Sequence, residues 1–207
     1  MLDAPLRRLI DPPLDRLAGV LAGVGVTANG VTLGGFAIGL LAVPAIAWQQ
    51  YDLAVTAILA NRLADGLDGA VARRRGGASD LGGFLDIVCD FLFYAAVPFA
   101  FALAERANGL AAAFVVLSFV GTGSTFLAYA VVAAKRGLTT SLRGRKSLYY
   151  LGGLTEGTET IAFLLAICLF PQAFQPLAWL FGGLCWITTA TRILAGWRAF
   201  RESPDGP

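Results

Sequence analysis

Six predominantly apolar stretches follow one another along the chain, at 30–48, 53–72, 82–103, 110–134, 148–170 and 177–197. Each is close to the roughly 20 residues a helix needs to cross a hydrocarbon core of about 30 Å. None shows the ten-residue alternation of a transmembrane barrel strand. The first and fourth stretches carry no charge, whereas the others hold a few: the second turns polar in its later half, the third holds Asp86 and Asp90, the fifth Glu156 and Glu159, and the sixth Arg192. The pattern predicts an all-α integral membrane protein of six transmembrane helices. Before the first span, Leu14, Leu17, Ala18 and Leu21 share one helical face, with Asp15 and Arg16 off it. Pro12 and Pro13 are expected to break the arm just ahead of this segment, which reads as an N-terminal interfacial amphipathic helix. Thr27 and Asn29 are candidate caps for the first span. The expected organisation is an N-terminal cytoplasmic arm over 1–29, a six-helix transmembrane domain over 30–200 and a cytoplasmic tail over 201–207.

Lysine and arginine orient these spans. Arg7, Arg8 and Arg16 fall on the arm; Arg62, Arg73, Arg74 and Arg75 on or beside the second loop. Lys135, Arg136, Arg143, Arg145 and Lys146 fall on the fourth loop, and Arg192, Arg198 and Arg201 at the C-terminal end. The opposite side holds Arg106 alone. The positive-inside rule then gives an N-in/C-in topology. Trp48, Trp179 and Trp197 sit near span ends, where indole rings anchor at the interface. The arm lacks the apolar core and cleavage site of a signal peptide.

Composition sharpens the picture. Of 207 residues, 57% are hydrophobic and 14% charged, with 25 glycines. The mean hydropathy is +0.68. A disordered chain is excluded and a soluble domain disfavoured. Cys89, Cys168 and Cys185 lie in apolar stretches with no metal-binding spacing. Histidine is absent, which removes histidine bases, triads and metal sites. Acid–base or metal chemistry must therefore use carboxylates.

Carboxylates within a membrane are costly and mark functional sites by default. Asp65 and Asp68 share a face of the second span, and Asp86 and Asp90 a face of the third. Counting 1.5 Å per residue places Asp65 and Asp90 each about 12 Å from the inner face, so the two pairs come to similar depth. Four such carboxylates repel unless cations sit among them, and an all-oxygen donor set suits Mg²⁺, Mn²⁺ or Ca²⁺. A two-metal site is expected. Gly66, Gly69, Ala70, Ala72, Gly82 and Gly83 leave clearance around them, and Arg73 stands one turn past Gly69, where it could hold a phosphate. Helix packing accounts for the glycines taken alone, and the positive-inside rule for Arg74 and Arg75.

These residues resemble a known signature. Asp65-Gly-Leu-Asp68-Gly69-Ala-Val-Ala72-Arg73, eight residues, then Gly82-Gly-Phe-Leu-Asp86-Ile-Val-Cys-Asp90 matches D-x-x-D-G-x-x-A-R…G-x-x-x-D-x-x-x-D at all eight fixed positions. This is similar to the CDP-alcohol phosphotransferase (CDP-alcohol phosphatidyltransferase) family. The resemblance implies transfer of a phosphatidyl-type group from a CDP-linked lipid, expected to be CDP-diacylglycerol, to an acceptor alcohol with release of CMP. It implies Asp65, Asp68, Asp86 and Asp90 as ligands of Mg²⁺ or Mn²⁺, with two ions expected, and Asp90 also as general base. Gly69, Ala72, Arg73 and Gly82 would line the CDP site. It further implies a homodimer. A short chain without targeting or retention signals suggests a bacterial or archaeal cytoplasmic membrane, the topology turns the site toward the cytoplasm, and no nucleic-acid partner is expected.

The acceptor is not read from this sequence. The glycerol-phosphate branch carries Asp-Pro-x-Ala-Asp-Lys, where this chain has Ile87, Cys89 and Phe91, and an arginine where Gly34 stands. The serine branch shares the aromatic and proline at Tyr94 and Pro98, but Phe93 and Ala95 stand where it has its serine and glycine. The inositol-phosphate branch uses basic residues near the inner face, for which Arg143, Arg145, Lys146 and Arg192 are candidates, with positive-inside bias as the plainer account. Glu156 and Glu159 would face an acceptor cavity or pair with Arg192. Thr122, Ser124 and Thr125 are expected to hydrogen-bond between helices. Two rivals remain: a carboxylate-lined cation transporter, which broken helices near the midplane would favour, and a non-catalytic CDP-lipid-binding membrane protein.

Overall fold

The computed structural model describes residues 3–77, 79–136 and 154–201, with side chains from residue 13 onward. Among these residues all regular structure is helical: α1 (Asp3–Gly23), α2 (Ala28–Leu40), α3 (Ala42–Ala47), α4 (Tyr51–Arg74), α5 (Asp80–Ala104), α6 (Gly109–Lys135), α7 (Gly157–Leu169) and α8 (Phe174–Arg201). Short 3₁₀ turns, Arg106–Asn108 and Pro171–Ala173, lead into α6 and α8. Among the described residues, four stretches are long and apolar enough to cross a membrane: Ala28–Ala47, Asp80–Ala104, Arg106–Lys135 and Pro171–Arg201. The chain is an integral membrane protein, and its outer surface agrees: Leu53, Leu92, Leu117, Leu180 and Ile187 are all at least half exposed. In water such a surface would be untenable, but lipid solvates it.

The remaining two expected spans differ from the apolar four for identifiable reasons. Helix α4 has the length to span but carries Arg62, Asp65, Asp68, Arg73 and Arg74 from its midpoint onward. Only 157–169 of the fifth span forms a described helix, too short to cross by itself. The first span is interrupted at Leu41, between α2 and α3. Pro44 lacks the N–H that would bond the Leu40 carbonyl, and such a loss kinks a helix. The interruption lies beyond Gly35 and Gly39, away from the aspartates, while α4 and α5 run unbroken past them.

One expectation about the arm is corrected. Helix α1 continues through Pro12 and Pro13 rather than breaking there. Proline's fixed φ is itself helical, and the carbonyls it orphans can be met by water on an exposed face. The amphipathic face is used as expected in part: Leu14 and Ala18 are buried, Ala18 against Ala70 and Val71 of α4, while Leu17 stays half exposed.

The helix starts are locally encoded. The Thr27 hydroxyl accepts the Gly30 amide at 3.1 Å and caps α2. Ser79 caps α5 by accepting from the Gly82 amide at 3.0 Å. Between α4 and α5 the chain reverses at Gly76 and Gly77, with φ of +106° and +114° that only glycine adopts without strain.

A core of Ile46, Ile58, Phe93, Val97, Phe101, Val115, Leu164 and Ile167 ties α3 to α7. Parallel ring stacks, Phe101 on Phe174 at 4.4 Å and Phe163 on Phe181 at 4.3 Å, fasten α8 to it. Helices α2 and α4 meet backbone to backbone: a Cβ on Gly35 would collide with Cβ of Ala64, and one on Gly39 would lie 2.9 Å from Asn61. Replacing Gly35 by valine gains at most about 1 kcal/mol of helix propensity. Against that stands overpacking, typically about 1–3 kcal/mol and more against an immovable backbone. Gly35→Val should therefore lower the thermal midpoint of the detergent-solubilised protein; an unchanged midpoint would refute this contact.

Candidate active site

The α2–α4–α5 contact places two carboxylate pairs across one cleft. Asp65 and Asp68 project from α4, Asp86 and Asp90 from α5, and the cleft is also lined by Thr32, Gly35, Phe36, Asn61, Arg62 and Cys89. All four aspartates expected from the sequence thus share one site. Carboxylate oxygens of Asp65, Asp68 and Asp86 lie within 4.8 Å of one another. One hard cation with bonds of about 2.1 Å holds its oxygen ligands about 3–4 Å apart. Small rotations close the difference, so the triad fits a divalent ion, and its all-oxygen donor set suits Mg²⁺ or Mn²⁺.

Asp68 is the buried member, 9% exposed. The Thr32 hydroxyl of α2 donates to its Oδ2 at 2.5 Å. This is the kind of outer contact that fixes a metal-ligating carboxylate in one rotamer. Asp90 is held differently. Arg62 Nη2 donates to Oδ1 at 2.7 Å, and the Tyr94 hydroxyl donates to Oδ2 at 2.9 Å. Arg62 also lies 3.5 Å from Asp65.

Sequence reasoning missed Arg62, Thr32, Asn61 and Tyr94 as members of this site. The positive-inside rule accounts for Arg62 by its charge alone. Its position three residues before Asp65, within an apolar run, is the signal that marks it as an intramembrane charge.

The residues expected around CDP are not among those that line the cleft, but lie next to its aspartates along α4 and α5. Ala72 and Gly82 stand one turn from Asp68 and Asp86, respectively, and Gly69 adjoins Asp68. A Cβ on Gly69 would meet only Arg73 Nη1, at 3.6 Å, and one on Gly82 would lie 3.2 Å from Asn29 Oδ1. Asn29 thus stands beside Gly82, and Thr27 alone caps α2. Arg73 is 58% exposed and lies 3.5 Å from Asp15 of α1. Little is gained from an ion pair so exposed, and a phosphate could displace it.

A second cavity, of about 150 Å³, opens on the other side of Tyr94. Phe119, Phe126, Thr155, Glu156, Thr160 and Arg192 are among its lining residues. Arg192 donates to the Thr122 carbonyl at 3.1 Å and stands 5.9 Å over the Phe126 ring. Glu156 lines the same cavity. Glu159 is used locally: it accepts from the Glu156 amide at 3.1 Å in a reciprocal capping box that starts α7. Arg143, Arg145 and Lys146 lie outside the described residues. The threonine–serine cluster of α6 also departs from expectation. Thr122, Ser124 and Thr125 hydrogen-bond to carbonyls of their own helix, at 2.9–3.3 Å. A hydroxyl one turn from a carbonyl saturates itself that way before it can reach a neighbouring helix.

Similar proteins fall in one group. The chain is 54% identical to inner membrane protein YnjF of Escherichia coli K12, over 98% of both chains. It is 33% identical to archaetidylinositol phosphate synthase of Pyrococcus horikoshii, over 91% of this chain and 93% of that one. The fold is similar to Mycobacterium tuberculosis phosphatidylinositol phosphate synthase (PgsA1) solved with CDP-DAG bound, with TM-score 0.66 and 24% identity, covering 89% and 93% of the two chains. The same enzyme in complex with manganese and citrate gives TM-score 0.63 at 23% identity, covering 89% and 88%. Residues 25–194 match the model of one family, and by that match this integral membrane protein belongs to the CDP-alcohol phosphatidyltransferases.

Proposed function

We propose that this protein transfers a phosphatidyl-type group from a CDP-linked lipid, CDP-diacylglycerol in the simplest case, to the hydroxyl of a small polar acceptor, releasing CMP. The observation that carries this reading is the convergence of Asp65, Asp68, Asp86 and Asp90 in one cleft between α4 and α5. Asp65, Asp68 and Asp86 would hold divalent metal, Mg²⁺ or Mn²⁺, with Asp90 as a further ligand where two ions bind. When bound, metal neutralises charge on the diphosphate and on the phosphoryl oxygens of the transition state. Gly69, Ala72 and Gly82 leave room for CDP beside the aspartates, and Arg73 supplies a bidentate phosphate contact. Asp90 accepts the proton of the acceptor hydroxyl as its oxygen forms the new bond to phosphorus and the bond to the CMP oxygen breaks. Arg62 and Tyr94 fix the Asp90 carboxylate for that transfer.

The acceptor enters, on this reading, by the cavity of Arg192 and Glu156. Tyr94 supports it, because its hydroxyl touches Asp90 while the residue also lines that cavity. A volume of about 150 Å³ equals that of an engineered cavity that holds benzene, so a headgroup-sized alcohol fits. Archaetidylinositol phosphate synthase among the relatives favours a polyol phosphate acceptor, toward which Arg143, Arg145 and Lys146 would add charge. Six spans in an N-in/C-in topology, α1 lying on the inner surface, a homodimer and a bacterial cytoplasmic membrane with the site facing inward complete the proposal. Inner membrane protein YnjF supports the location.

The test is CMP release by purified protein given CDP-diacylglycerol, Mn²⁺ or Mg²⁺, and one acceptor at a time: inositol phosphate, inositol, glycerol phosphate, serine, choline, ethanolamine or phosphatidylglycerol. Release should depend on one acceptor, stop with EDTA and resume with Mn²⁺. The reading fails if no acceptor supports release and CDP-lipid does not bind in the presence of metal. The unbroken course of α4 and α5 past the carboxylates weighs against the transporter reading, which needs interrupted helices at the ion site.

A further inference from the structure

The four aspartates of the cleft are not equivalent. Three converge on one point, but Asp90 stands outside that convergence with both oxygens engaged, Oδ1 by Arg62 and Oδ2 by Tyr94. The guanidinium that occupies it is fixed from several directions. Its Nε and Nη2 both donate to Asn61 Oδ1, at 2.9 and 2.5 Å, and Nη1 donates to the Tyr94 hydroxyl at 3.1 Å. Its Cζ lies 5.4 Å from the ring centres of both Phe93 and Tyr94, within cation–π range. Asn61 is in turn pinned to α2, donating from Nδ2 to the Gly35 carbonyl at 3.0 Å. The Arg62 side chain is only 16% exposed. A positive charge so placed is poorly screened by solvent, and it repels any second cation approaching Asp90.

We propose that Arg62 is a resident cation of this site, a positioning residue that reserves Asp90 from metal. One divalent ion binds tightly at Asp65, Asp68 and Asp86, and a second binds only as Arg62 withdraws from Asp90. The inference rests on the metal-dependent reading above and goes beyond it by making the two ions unequal through a residue outside the signature. It also leaves Asp90 outside the coordination of the first ion.

The test is a Mn²⁺ titration of the detergent-solubilised full chain, counting free ion by its paramagnetic resonance signal. The wild type should take one ion per chain, with a second at least ten-fold weaker. In Arg62→Gln the second ion should bind at least ten-fold more tightly, closing the gap. Arg62→Lys keeps a charge but cannot grip Asp90 and Asn61 together, so it should narrow the gap by less; it carries the test if the glutamine variant does not fold. Tyr94→Phe removes the other hold on Asp90 but leaves the charge, and the gap should persist. Two ions of equal affinity in the wild type, or a gap unmoved in both Arg62 variants, overturns the proposal while leaving the metal reading intact. No Mn²⁺ bound by any of these proteins overturns both.

Discussion

Asp90→Asn should lower CMP release by about 10²–10⁴-fold, the range a positioned general base contributes, while the protein still folds and still binds its first metal ion. In a chain without histidine, the base for an alcohol must be found among groups at the cleft. Asp65, Asp68 and Asp86 turn toward one another, but Asp90 turns toward Arg62 and Tyr94, on the side of the second cavity. Asparagine keeps the volume and an oxygen that can accept from Arg62, so loss of packing does not explain the expected effect. The check is steady-state CMP release beside Mn²⁺ binding on the same preparation. A variant that keeps more than a tenth of wild-type activity would move the base elsewhere. A variant that loses both activity and the first ion would make Asp90 part of the primary metal site instead.

How far such a site can be read from sequence depends on the range of the interactions involved. The carboxylate pairs were legible because i, i+3 and i, i+4 spacings fix a shared helical face, and the short Gly76–Gly77 turn requires α4 and α5 to be neighbours. The apolar spans were legible because lipid demands long uninterrupted hydrophobic runs. Helix α4 was legible from its apolar first half, although the charges that follow defeat a hydropathy criterion for the whole helix. The grip of Arg62 on Asp90 was not legible: it joins residues 28 apart through a long side chain whose direction is decided by Asn61, Phe93 and Tyr94 around it. The α6 hydroxyls misled for the opposite reason. A local bond to their own helix was available, and it won over the tertiary one expected. Likewise the prolines of α1 marked a break by local rules, while packing of Leu14 and Ala18 next to α4 accompanies a continuous helix.

Asp68→Asn should be the most damaging substitution for metal itself. Asp68 is the most buried of the metal triad, and only its charge changes when an amide replaces it. The Thr32 hydroxyl, 2.5 Å from Oδ2, donates its proton to the carboxylate and leaves the other lone pairs for a cation. An amide in its place presents N–H donors to that cation and removes one of three neutralising charges. Since loss of an outer-shell partner alone typically costs about 10–100-fold in metal affinity or activity, loss of the ligand charge should weaken the first Mn²⁺ by more than about 100-fold, with CMP release falling at least in proportion. Thr32→Val separates the two contributions: it keeps the carboxylate, removes only the hydroxyl, and should weaken Mn²⁺ by about 10-fold. The ordering is the sharp result, Asp68→Asn far below Thr32→Val and both below the wild type in the same titration. Equal affinities in all three would show that the triad does not hold the ion. A valine variant as weak as the asparagine one would show instead that the hydroxyl's hold on the carboxylate rotamer, rather than the carboxylate charge, governs the site.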